Sequence, residues 1–446
     1  MATSTDYSRL VDLWQGIDRA GGIDNYVQKQ LVERGYLVER KATDEMSKAE
    51  LGRYKKALKV EAAERISLQK ESWLAYRATH IVHLGEGIFW NDDLDFDRWD
   101  LRNPEERARE NELPELDNPK ALADVLGLSI ATLRWLAFHR DDATFVHYHR
   151  FTIPKRDGSA RAIWAPSPQL KAVQRWILRE VVERLPVHGA SHGFMAGRSI
   201  KSNASVHTGA KIVVKVDLKD FFPTVTLPRV KGIFRRAGYR EQVATLLALL
   251  CTEAPREVVD IKGKVHFVAL GPRCLPQGAP TSPGLTNTLC LRLDRRLAGL
   301  AAKLGWRYTR YADDLTFSLP LPKKTRKKKG AAESKREPPH VGALLGGIAK
   351  IAASEGFVVH PNKTRVARSG GRQQITGLVV NGDGPPRVPR ALRRQVRATL
   401  HNLGQGKSLP EGETLSQLAG YIAYIQMADP KLGALLRAQL LALGLS

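Results

Sequence analysis

The chain has 446 residues, in which 70 Lys plus Arg against 46 Asp plus Glu leave a formal net charge of +24. A surplus of that size is the footprint of a polyanion binder, and 43% hydrophobic with 26% charged residues exclude wholesale disorder and suggest two or three packed units. Cys251, Cys274 and Cys290 form no Cys-x-x-Cys pair, which leaves no support for a disulfide framework or a zinc ribbon, and neither a leader nor an apolar run of roughly 18 residues is present. A cytoplasmic protein without a membrane partner is the expectation.

Taken in chain order, residues 9–36 and 49–80 read as amphipathic helices, with Leu10, Leu13, Trp14 and Ile17 at helical spacing. Residues 91–117 hold eleven acidic and four basic side chains, a local −7 that looks like a linker ending an α-rich extension over 1–117. Two short helices are expected over 118–140, joined at Gly127-Leu128-Ser129 with Ser129 as a cap; a helix-turn-helix DNA reader is the lesser alternative. Asp157-Gly158 between two β-prone runs predicts a hairpin over 151–161, flanked at its tip by Lys155 and Arg161. A helix over 168–185 and a buried strand over 212–218 follow. The stretch 320–340, rich in lysine from Lys323 to Lys329, cannot bury a core and reads as a solvated loop. Residues 389–403 form a basic helix candidate and 415–426 a more apolar one.

Adjacent carboxylates at Asp313-Asp314 sit between two strand-like runs, Tyr308 to Tyr311 and Leu315 to Ser318, where a hairpin tip would hold them. Burying two carboxylates side by side is unfavourable without cations, so the pair suggests a divalent metal site, with an exposed turn as the bland alternative. A second acidic pair, Asp217 and Asp220, ends the earlier strand. Carboxylates from separate strands converging on two Mg²⁺ ions are what in-line nucleotidyl transfer requires. Other chemistries fail on spacing. Gly406-Lys407-Ser408 has His401 where a phosphate loop needs its leading glycine, and His139, His147 and His149 lack the partners of a zinc site.

Three motifs in order, Val216-Asp217-Leu218-Lys219-Asp220-Phe221-Phe222, Leu275-Pro276-Gln277-Gly278 through Pro283, and Tyr311-Ala312-Asp313-Asp314, resemble the polymerase motifs of bacterial reverse transcriptases. Within that group the chain resembles the retron enzymes, because Asn203-Ala204-Ser205-Val206-His207 matches their Asn-Ala-x-x-His element and Ile375-Thr376-Gly377 approximates their Val-Thr-Gly element. The likeness covers about 118 to the C-terminus. It implies an α+β right-hand polymerase, with fingers over 118–210, a palm with an antiparallel sheet over 211–384 and a thumb over 385–446.

By the same resemblance, Asp217, Asp313 and Asp314 are the catalytic metal ligands for two Mg²⁺ ions, with Mn²⁺ as a substitute, while Asp220 supports a turn. Lys155 and Arg161 would clamp the triphosphate of an incoming dNTP and Gln277 would lie beside the nascent base pair. Phe222 would close off the sugar 2′ position, unless it is a core aromatic. Asn203 and His207, together with Arg393 and Arg397 of the basic helix, would contact RNA; the alternative is that Asn203 caps a helix and His207 packs internally. The implied reaction is RNA-directed DNA synthesis that copies a cognate noncoding RNA into a branched RNA–DNA hybrid (msDNA), starting from a guanosine 2′-hydroxyl, in anti-phage defence alongside an effector protein. Competing readings are a group II intron-like or other bacterial reverse transcriptase, against which the chain ends soon after the thumb, and a catalytically silent nucleic-acid-binding protein on the same fold.

Overall fold

The structure is a computed structural model that describes residues 4–88, 104–154, 158, 160–321 and 341–444; Lys155, the stretch 322–340 and most of the acidic linker lie outside the described residues. The N-terminal extension is helical as expected, but the helix expected over 9–36 divides into α1 (Ser4–Arg19) and α2 (Ile23–Glu33). Gly21 and Gly22 separate them at φ +79° and +113°, backbone that favours glycine and ends a helix. The long α3 (Lys48–Thr79) opens on a reciprocal capping box between Ser47 and Glu50. Val27, Leu31 and Leu68 form a small core where α2 meets α3. After α4 (Pro104–Glu110), the expected pair appears as α5 (Pro119–Val125) and α6 (Ile130–Ala137). Asn118 and Ser129 cap them by accepting from the Ala121 and Thr132 amides.

A two-residue strand, β1 (Asp142–Ala143), precedes the expected hairpin of β2 (Tyr148–Pro154) and β3 (Ala160–Pro166), which pair from Tyr148↔Pro166 to Pro154↔Ala160. Then come α7 (Pro168–Glu180), the single-turn α8 (Ile200–Ser205) and β4 (Ala210–Lys219), the central strand of the site. Helices α9 (Leu227–Ala237) and α10 (Glu241–Cys251) lead to the hairpin β5 (Arg256–Ile261) and β6 (Lys264–Ala269), which takes β1 as its third strand. Two helices, α11 (Thr281–Leu289) and α12 (Leu291–Leu304), precede the acidic hairpin β7 (Arg307–Tyr311) and β8 (Asp314–Pro320). The chain continues through α13 (Val341–Ser354), β9 (Val358–Val359), β10 (Arg365–Arg368), β11 (Gln374–Ile375) and β12 (Leu378–Val379), then α14 (Arg390–Gly404), α15 (Leu415–Ala428) and α16 (Pro430–Ala442).

The result is α+β with antiparallel sheets. The main sheet runs β10-β4-β8-β7, and β9 pairs with the end of β4. Strand periodicity sorts its two faces: Ile212, Val214, Val216 and Leu218 of β4, with Leu315 and Phe317 of β8, enter the large core shared with the helices. The intervening residues Val213, Lys215 and Asp217, opposite Ser318, Thr316 and Asp314, occupy the other face. Val213 joins a second core built with α14, α15 and α16. Asp217 is thus carried on the face away from the main core, at the end of a strand whose other side anchors it. Among the described residues, no helix is long and apolar enough to cross a membrane.

Candidate active site

The β4–β8 register places Asp217 directly opposite Asp314, and the β7–β8 pairing closes at Tyr311↔Asp314, leaving Ala312 and Asp313 as the tip. Ala312 sits at φ 55°, and the carbonyl of Asp313 accepts from the Leu218 amide at 3.1 Å. Behind the tip, Gly193 comes so close that a β-carbon there would lie 2.8 Å from the Ala312 nitrogen. A largely buried network fixes this turn. Arg310 pairs with Asp294 at 2.8 Å and donates to Asn287 Oδ1 at 3.0 Å and to the Ala312 carbonyl at 3.3 Å. Asn287 in turn donates to the Gly193 carbonyl at 2.8 Å. A buried ion pair is tolerable only when its remaining donors and acceptors are satisfied, and here the guanidinium is also used to hold the backbone of the tip.

The three carboxylates are short of positive charge. Burial, with a further push from the charge of Asp217, raises Asp313 to about 6. Burial also raises Asp314, against the pull of Lys215, whose Nζ is 3.7 Å away. Lys363 Nζ stands 3.1 and 3.3 Å from the two oxygens of Asp217. Among the described residues, no three His, Cys, Asp or Glu side chains close on a single point; Asp217 and Asp314 instead face Lys363 and Lys215. The donor set nevertheless fits divalent cations: hard oxygens on opposed strands, partly desolvated, with an ammonium already standing in as the cation at Asp217.

Asp217 and Asp313 line a cleft of about 820 Å³ together with Arg161, Phe222, Gln277 and Lys363. Gln277 is positioned by its backbone, since its carbonyl accepts from the Trp164 amide of β3 at 2.7 Å. The next residue, Gly278, has φ +123° and would bring a β-carbon within 2.7 Å of the Trp164 carbonyl, so only glycine lets this loop lie against β3. Phe222 is half-buried on the cleft wall, whereas its neighbour Phe221 is buried and packs on Phe357 with ring centroids 5.5 Å apart. Phe221 lies in the core, and Phe222 packs against its edge from the cleft wall. Asp220 holds a turn at φ 47°.

Asn203 and His207 do not reach the cleft or the surface. Both are 0% exposed. His207 Nδ1 lies 2.7 Å from Ser318 Oγ and Nε2 2.7 Å from Thr309 Oγ1, and Thr309 also donates to Asn203 Oδ1 at 2.5 Å. Burial, with Arg307 nearby, drives His207 down to about 3, so the ring is neutral. The expected direct RNA contact by these two side chains is therefore replaced by a brace between α8 and the acidic hairpin. The cap expected at Asn203 is absent too, since Ser199 caps α8. Ile375-Thr376-Gly377 is a second backbone device. Thr376 donates to the Ile200 carbonyl at 3.2 Å, and a β-carbon on Gly377 would lie 2.6 Å from Tyr424 Oη.

Arg393 and Arg397 lie on α14, apart from the cleft. Arg397 is exposed, while Arg393 joins Arg372, Arg387 and Arg390 around a depression of about 350 Å³. Lys215 and Lys363 escaped the sequence reading. Lys215 was accessible to it, being two residues from Asp217 on one face of a strand; nothing local marks Lys363.

The family described as reverse transcriptase (RNA-dependent DNA polymerase) matches residues 153–404. The chain is similar to the retron Mx162 reverse transcriptase of Myxococcus xanthus, 54% identical over 430 residues, which are 96% of this chain and 87% of that protein. It is 42% identical to the retron Mx65 reverse transcriptase of the same organism over 332 residues, 74% of this chain and 73% of the relative. With the retron Ec86 reverse transcriptase of Escherichia coli it shares 32% identity over 327 residues, 73% of this chain and 89% of the relative.

Proposed function

The chain belongs to the retron reverse transcriptases and is an RNA-directed DNA polymerase, and from that premise we propose that it copies part of a structured noncoding RNA into a branched RNA–DNA product at the cleft of Asp217, Asp313 and Asp314. The observation that supports this most is the strand register, which sets Asp217 against Asp314 and carries Asp313 on the tip between. Family membership implies the right-hand polymerase fold; the β2–β3 hairpin then belongs to fingers over 118–210, the main sheet to a palm over 211–384, and α14 to α16 to a thumb over 385–446.

Asp217, Asp313 and Asp314 would hold two divalent ions, Mg²⁺ or Mn²⁺, which when bound lower the pKa of the attacking hydroxyl and neutralise charge on the leaving pyrophosphate. Until then Lys363, at Asp217, and Lys215, near Asp314, offset part of the negative charge. Arg161, with Lys155 at the same hairpin, is set to meet the triphosphate of the dNTP. Gln277 and the Phe222 ring border the space for the nascent pair and its sugar. Arg393 and Arg397 would meet RNA phosphates, and a defence effector would complete the system. A Mg²⁺-dependent primer-extension assay, with sequencing of copurifying nucleic acid, tests the reading. Extension together with a branched RNA–DNA hybrid is expected; absence of Mg²⁺-dependent extension by the folded chain refutes it.

A further inference from the structure

Helix α6 and the residue that follows it carry a group of side chains that takes no part in the cleft. The Arg134 guanidinium lies 4.7 Å from the centroid of the Phe138 ring, and that of Arg140 lies 5.2 Å from the same ring. Arg77 of α3 lies near enough that its charge, after burial and together with that of Arg140, lowers the pKa of Arg134. Arg134 Nε donates to the His83 carbonyl at 2.7 Å, which leaves the other two guanidinium nitrogens without a described partner. Two guanidinium groups crowd one ring with a third charge, Arg77, near Arg134, and among the described residues no carboxylate pairs with any of the three. The nearest acids in sequence are otherwise engaged: Asp141 with His139 and Asp142 with His266, each at 3.0 Å. Like charges held together with no counter-charge among the described residues favour an anionic ligand.

Aromatic faces adjoin the arginines. Trp135 and Phe138 stand three residues apart along the helix direction, on one side of it. Trp135 is 48% exposed and stacks on Phe145, 59% exposed, at 5.7 Å and an interplanar angle of 16°. A rigid seat, His147, fixes the pair: its Nε2 lies 2.9 Å from the Trp135 carbonyl and its ring packs edge-on against Trp135 at 4.2 Å. Two large rings stacked at the surface, one of them next to Arg134 on α6, offer planar faces for unpaired bases, and the unpaired guanidinium groups offer forks for phosphates. A duplex hides its bases and would use only the arginines.

We infer that Arg77, Arg134, Arg140, Trp135 and Phe145 form a docking surface for a single-stranded segment of RNA, outside the polymerase cleft. The inference rests on the reading that the chain takes an RNA template; the occupant is then an unpaired stretch of that transcript, retained while another part is copied.

The test uses the full chain with its cleft filled by an excess of unlabelled RNA–DNA duplex, and follows the anisotropy of labelled oligouridine as KCl is raised. Replacing two exposed arginines, Arg77→Gln with Arg140→Gln, should weaken binding and lower the salt slope by about 1.4, the loss of two phosphate contacts on a single strand. Trp135→Ala should weaken binding about tenfold with the slope unchanged, since stacking releases no counterions. Thermal melting of each variant confirms that it folds. Oligouridine binding equal to wild type in both variants overturns the surface. Equal affinity for oligothymidine overturns the assignment to RNA, and polyglutamate displacing oligouridine as well as RNA does would transfer the site to an acidic peptide. Primer extension on a short duplex separates this inference from the one beneath it: loss of oligouridine binding with extension intact supports the surface, whereas a wild-type chain that cannot extend refutes the polymerase reading instead.

Discussion

Asp313 occupies a two-residue tip where burial and the charge of Asp217 both oppose its ionisation, offset only in part by a backbone hydrogen bond and by Lys363. A side chain so placed depends on cations brought from outside. Replacing Asp313 or Asp314 with Asn keeps shape and removes charge, so DNA synthesis should fall by about a thousandfold or more while RNA binding to the basic surface persists. Single-turnover extension and RNA titration on the same preparations check this; synthesis within a few-fold of wild type would remove the metal assignment. Phe222 invites a different measurement. Because Phe221 is the buried member of the pair and Phe222 only half-buried at the core's edge, Phe222→Ala opens the cleft wall at modest cost to packing. Ribonucleotide insertion relative to deoxynucleotide should rise by an amount worth about 1–3 kcal/mol, read from kcat/KM with each sugar. An unchanged ratio in a folded variant would return Phe222 to a packing role.

Among the elements, the acidic hairpin was legible because everything that makes it a hairpin is local: two β-prone runs and two carboxylates between them. The same holds for the caps of α5 and α6 and for the β2–β3 hairpin. The brace behind the hairpin was not, because His207 finds Thr309 and Ser318 at separations of 102 and 111 residues, and no local pattern announces a partner so distant. An Asn and a His four positions apart suit a recognition surface and a buried network equally well; only burial tells them apart. The brace has a pH signature. In the unfolded chain His207 titrates near 6.5, in the folded protein near 3, so between those values the unfolded state binds more protons. Stability is then complete above about pH 6.5 and falls as the pH drops toward 3, by at most about 1.4 kcal/mol per unit from this residue. Urea unfolding at several pH values should show that slope, and His207→Gln should flatten it. His207→Ala leaves Thr309 and Ser318 without their partner and should cost about 1–3 kcal/mol, with equal loss of synthesis on the cognate RNA and on a generic primer–template. Selective loss on the cognate RNA would contradict the brace.

Across the whole molecule, charge and fold are separable. The surplus of +24 is far more than the cleft uses, and six of those charges, Lys323, Lys324, Arg326, Lys327, Lys328 and Lys329, fall in one stretch between the end of β8 at Pro320 and the start of α13 at Val341. Neither flanking element draws its core residues from that stretch: β8 buries Leu315 and Phe317, and α13 buries Leu344, Ile348 and Ala352. Deleting 323–329 should therefore leave the melting temperature and low-salt primer extension close to wild type. What should change is the ionic-strength dependence. Each lost phosphate contact lowers the slope of log K against log salt by about 0.7 to 0.9, so RNA binding by the deleted chain should fall behind wild type at low salt and the two should converge as salt screens the difference. Nitrocellulose or anisotropy titrations across a salt series measure this directly. Unfolding, or loss of synthesis at every salt concentration, would mean that the lysines make specific contacts on which the sheet or the cleft depends.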